Sequence, residues 1–125
     1  MKIDWKLNLK LRYFEYFVLM LLKKLRDRGD DIYNNKLSPI VIQKILFLTV
    51  CTDIEDGDEI LIDSVFDNWY ATPYGHLELD IEEYRKETDG RFSHFTMSKD
   101  KLVIDPKLDI DYTFKMLQTY IQNAN

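Results

Sequence analysis

The chain is poor in the residues that make many small proteins easy to classify. Its 125 residues include one cysteine, two histidines, three prolines and four glycines. With Cys51 alone there is no intramolecular disulfide and no cysteine-based zinc cluster. Two histidines 18 positions apart, His76 and His94, give no short-spaced metal pair. No glycine-rich loop precedes a helix in the form that cradles phosphate. The amino end, Met-Lys-Ile-Asp-Trp-Lys, has no apolar signal core. The most apolar run near it, 13–22, contains Glu15 and covers about half a bilayer. The expectation is a cytoplasmic protein that does not enter membranes.

Positive charge is also in deficit. The net charge is −5 and the pI about 5.0, which argues against nucleic acid as the main partner because phosphate backbones attract basic surfaces. What is abundant is apolar and aromatic surface: 46% of residues are hydrophobic and 14% aromatic. A chain of this length folds as one domain, 1–125, and buries roughly two-thirds of its unfolded surface without a staple.

Residues 1–12 read as an arm or a lead-in to the next helix. Phe14, Phe17, Val18, Leu21, Leu22 and Leu25 follow at helical spacing. Lys23, Lys24, Arg26 and Arg28 complement the dipole at that helix's end, and Gly29 stops it. Ser38 supplies an N-cap hydroxyl and Pro39 a first helical residue for a second helix, 39–52. That helix is almost wholly apolar, so it is expected at the centre, covered on several sides, with Cys51 buried. The acidic stretch 53–59 fails the calcium-loop pattern in both its glycine and its twelfth residue. Ile60, Leu61, Ile62, Val65 and Phe66 form a short apolar element. Residues 77–87 are predicted as a helix with Leu77, Ile81 and Tyr84 inward. Its early acids, Glu78, Asp80, Glu82 and Glu83, are explained by the dipole and by solvation. A small peripheral β hairpin spans 92–104, and a last amphipathic helix starts after Asp109. The fold class is therefore mainly α.

No nucleophile and base, paired acids or metal set stands out, so no catalytic residue, metal or cofactor is expected. The feature left over is aromatic: Phe66, Trp69, Tyr70 and Tyr74 lie close together around a Pro-Tyr-Gly-His turn. Aromatics on a turn cannot all point inward, and Trp and Tyr suit protein interfaces. Trp69, Tyr70, Tyr74 and His76 are the candidate partner-binding residues. Gln43 and Lys44, the polar pair in the apolar helix, are candidates to support that turn together with Gly75. Gln43 is expected to bond the backbone of 69–75, and Lys44 to lay its stem on apolar surface. The rival reading is nucleic-acid binding through Lys6, Lys10, Arg12 and the basic cluster 23–28. A small-molecule or enzymatic role around His76 is a more distant one.

Leu37-Ser38-Pro39 followed by Ile42-Gln43-Lys44-Ile45-Leu46-Phe47 resembles the "lkLQKLLyf" signature of the Panacea domain. This family includes SocA-like antitoxins and phage-associated GepA-like proteins. Its "AW..GP" segment corresponds here to Phe66-Asp67-Asn68-Trp69 with Tyr74-Gly75-His76-Leu77-Glu78. His76 stands in place of the usual proline, and extra residues separate Trp69 from Gly75. The resemblance spans residues 14–86. It implies a helical domain without known catalysis, whose partner is a toxin encoded by a neighbouring gene. That partner is masked, or delivered to a protease as the SocA type does.

Overall fold

The computed structural model describes residues 2–55 and 65–124, excepting the side chains of 52–55. Helix α1, Trp5–Asp27, begins where the Asp4 carboxylate accepts the Leu7 N–H at 2.8 Å. Residues 5–12 are thus the helical lead-in and form the first turns of α1. A 3₁₀ turn, Ile32–Asn34, leads to α2, Pro39–Glu55. Strands β1, Trp69–Thr72, and β2, Gly75–Glu78, form one antiparallel hairpin. Helix α3, Leu79–Glu87, follows directly. Strands β3, Thr96–Met97, and β4, Leu102–Val103, form a second hairpin, and α4, Ile110–Ala124, ends the described chain. The protein is mainly α with a small hairpin inside 92–104, the class read from the sequence.

The helix at the centre is α1. It buries Lys10, Leu11, Tyr13, Phe14, Glu15, Phe17, Val18, Leu19 and Leu22, which lie on more than one face. Helix α4 runs antiparallel to it: Arg26 and Lys23 pair with Asp111 at one end, and Asn8 bonds the Tyr120 hydroxyl at the other. Tyr16 stacks on Phe114 between them, with ring centroids 4.6 Å apart. On another side Phe14 meets Phe92 and Phe95, and Phe92 also meets Tyr84 of α3.

Helix α2, expected to be wrapped, is covered on one face. Ile42, Gln43, Leu46 and Val50 are buried, whereas Ile40, Val41 and Leu48 are exposed. Cys51 is exposed as well, against the expectation of core packing. Two further boundaries differ from the sequence reading. The Pro-Tyr-Gly-His turn is the tip of a β hairpin, and Leu77 and Glu78 complete β2, so α3 starts at Leu79. Val65 and Phe66 are buried; Ile60, Leu61, Ile62 and most of the acidic stretch 53–59 lie outside the described residues.

The turn that follows α3 closes at Gly90, whose N–H bonds the Arg85 carbonyl and whose own carbonyl accepts the Met97 N–H, each at 2.7 Å. Its φ is +83°, and an added Cβ would sit 2.3 Å from the Met97 carbonyl oxygen. Gly29, at φ +96°, faces open space. Gly29→Ala should therefore cost about 1 kcal/mol of backbone strain and Gly90→Ala at least about 2 kcal/mol. Urea denaturation of the two variants measures the difference, and equal losses would contradict it.

Candidate functional site: a hairpin braced on a buried ion network

The hairpin that carries the aromatic residues is held from behind by one fully buried side chain, Glu78. Its Oε1 accepts the Asp80 N–H at 2.9 Å, capping α3. Its Oε2 accepts the Asn68 N–H at 3.1 Å, just before β1, and lies 2.9 Å from Lys10 Nζ. The Glu78 main chain is held too. Its N–H donates to Gln43 Oε1 at 3.0 Å, and its carbonyl accepts from Gln43 Nε2 at 3.4 Å. Gln43 thus reads the backbone of Glu78, three residues beyond the turn expected from sequence.

Lys10 reaches the same place from α1. Its ammonium also meets Asp67 at 2.7 Å and Asp80 at 2.6 Å, and Asp80 accepts from the Asn68 side chain at 2.9 Å. Burial opposes charge on Lys10, but the hydrogen bonds to Asp67, Asp80 and Glu78 outweigh it and raise its pKa. Burial likewise pushes the Glu78 carboxyl up, against the pull of Lys10. At the half-exposed Asp80 burial also pushes up, but the hydrogen bonds from Lys10 and Asn68 prevail and its pKa is lowered. Oxygens of Asp67, Glu78 and Asp80 lie within 4.8 Å of one another, a spacing a divalent ion would accept. The Lys10 ammonium stands among them and bonds all three.

The front of the hairpin is aromatic. Trp69 is half-buried, donates its indole N–H to the Phe66 carbonyl at 2.7 Å, and meets Phe47 edge-on. Its ring is thus held in place by contacts within the fold. His76 is exposed but lies flat on Phe47, with centroids 4.1 Å apart and planes at 5°. Tyr70 and Tyr74 are 59% and 72% exposed. Thr72 Oγ1 closes the tip by donating to the Gly75 carbonyl and accepting the Tyr74 N–H. Pro73 fixes a negative φ, so the positive φ of the turn, +119°, falls at Gly75. The Lys44 stem runs over Gly75, with Cε 3.6 Å from where a Cβ would be. The structure thus brings Gln43, Lys44, Gly75, Trp69 and His76 together, and leaves Tyr70 and Tyr74 outermost.

Lys10, Asp67 and Glu78 escaped the sequence reading. By sequence pattern Lys10 groups with the solvent-facing basic residues and Glu78 with the solvated helix-start acids; both are buried. Arg12, another candidate for phosphate contact, pairs with buried Glu15 at 2.9 Å and bonds Ser93. Glu15 also accepts from the His94 main chain and meets its Nδ1, both at 3.0 Å. Lys23 and Arg26 pair with Asp111, and Arg28 with Asp30. Much of the basic cluster is neutralised within the chain. No described helix is long and apolar enough to cross a membrane. Compared with family models, curated proteins and solved structures, the chain matches none.

Lys10→Met strands a buried carboxylate and should cost about 3–5 kcal/mol. Adding Glu78→Gln should recover part of that loss, whereas strictly additive losses in a urea-denaturation cycle would contradict the coupling. Lys10 also sets a pH dependence. With its folded pKa above the ordinary 10.5, its contribution is complete below pH 10.5 and declines as pH rises through the folded value. The wild-type urea midpoint should therefore fall more steeply above pH 10.5 than that of Lys10→Met; parallel curves would refute this.

Proposed function

We propose that the chain is a protein-interaction module that grips its partner through the β1–β2 hairpin and the adjoining surface of α2. The observation that carries this reading is the rigid presentation of two exposed tyrosines. Tyr70 and Tyr74 project from a hairpin whose base is fixed to α1 by Lys10, to α2 by Gln43, and to α3 by the Glu78 cap. A surface tyrosine held by a pre-ordered backbone loses little entropy on binding, which is the property of an interface anchor. Trp69 and His76 support the surface from Phe47.

The Panacea resemblance narrows the reading to an antitoxin-type or phage-associated regulator. Its partner is a toxic protein encoded by a neighbouring gene, neutralised by masking or by delivery to a protease. The internal pairing of Lys10, Arg12, Lys23, Arg26 and Arg28 takes basic surface away from the nucleic-acid alternative.

The test co-expresses the chain with its neighbouring gene product. A complex that protects cells from that product is expected. Tyr74→Ala should weaken it by about 2 kcal/mol, close to thirtyfold, with the fold intact. Tyr70→Ala with Tyr74→Ala and no loss of affinity would show that the hairpin is not the contact surface.

A further inference from the structure

The exposed face of α2 has a composition that surface helices rarely show. Ile40, Val41, Lys44, Leu48 and Cys51 share one side, spaced at three- and four-residue steps over about 16 Å. Leu48 is 63% exposed, and Ile40, Val41 and Cys51 are exposed as well. Lys44 is the single charge among the described side chains of α2 and makes no ion pair among the described residues. The face is continuous with the hairpin, because the Lys44 stem lies on Gly75 and Tyr74 stands next to it.

Apolar surface of this kind is retained when something covers it. The lone lysine says what the cover contains. A wholly apolar partner would strip water from the Lys44 ammonium and return nothing. A second copy fares worse. A twofold axis through the middle of the face leaves the two Lys44 positions within about 5 Å of each other along the helix axis, like charge against like charge.

Resting on the interaction-module reading, we propose that this face receives an apolar helix of a partner protein bearing one carboxylate that meets Lys44. The apolar side chains of that helix pack on Ile40, Val41 and Leu48, and its carboxylate replaces the water around the ammonium. Recognition of an amphipathic helix draws affinity from apolar anchors and orientation from the charge. The hairpin borders this face where the Lys44 stem passes Gly75.

The test uses two synthetic amphipathic peptides that differ at one central position of their apolar stripe, Glu in one and Lys in the other. Each is titrated against the full chain by fluorescence anisotropy. The Glu peptide should bind about tenfold tighter than the Lys peptide, and Lys44→Glu should reverse that preference. Leu48→Asp, at a site 63% exposed, should weaken the Glu peptide while the far-UV circular dichroism of the chain stays unchanged. Binding that ignores the central charge, a preference that survives Lys44→Glu, or no binding by either peptide would overturn the proposal. So would a dimer of the chain that Leu48→Asp dissolves. The two readings fail separately: if the neighbouring gene product binds and only Tyr74→Ala weakens it, the α2 assignment falls while the interaction module stands, and if that product does not bind at all, the interaction module falls too.

Discussion

The buried contact between Lys10 and Glu78 is the constraint on which the rest of this structure depends. An isolated charge in a protein interior is expensive, so each partner commits the other to a place. Lys10 lies in the second turn of α1 and Glu78 at the last position of β2, 68 residues away. Once they meet, the hairpin base is registered against α1, and the remaining oxygen of Glu78 can start α3. Asp67 and Asp80 complete the shell around the ammonium. The same residue satisfies its backbone through Gln43, so α2 is drawn to the hairpin by two hydrogen bonds from a single side chain. Three helices and a hairpin thus converge on one residue, α1 and α3 at its carboxylate and α2 at its main chain.

The arrangement divides the aromatic residues by role. Trp69 and Phe47 lie behind the hairpin and stiffen it, His76 tiles over Phe47, and Tyr70 and Tyr74 are left to solvent. Trp69 is half-buried at the start of β1, with its N–H bonded to the Phe66 carbonyl, so less of it is open to a partner than of the two tyrosines. In the proposed reading its place is taken by Tyr70 and Tyr74, which bring apolar area and a hydroxyl at small entropic cost. The exposed apolar side of α2 extends this surface beyond the hairpin.

Local patterns carried much of the fold. The helical spacing of Phe14, Phe17, Val18 and Leu22, the Ser38-Pro39 start, the Asp109 cap and the small hairpin inside 92–104 can all be read from neighbouring residues. The ion network could not be read in this way. Nothing around Lys10 distinguishes it from Lys6, and nothing around Glu78 distinguishes it from Glu82; their burial is decided by partners distant in the chain. The exposure of α2 escaped for a different reason. An apolar helix face records that water is unwelcome there, and the sequence does not say whether the cover comes from its own chain or another. The β1–β2 hairpin was hidden because Leu77 and Ile81 fit a helical stripe, while pairing with β1 holds Leu77 in a strand.

Amide hydrogen exchange across residues 65–82 tests the central claim most directly. If Glu78 organises the hairpin, the amides of Asn68, Glu78, Leu79 and Asp80 should exchange only through opening close to global unfolding, since each is bonded within or beside the network. The Tyr74 amide at the exposed tip should exchange far faster. Rapid exchange at Glu78 and Asp80, at rates matching the tip, would contradict the account.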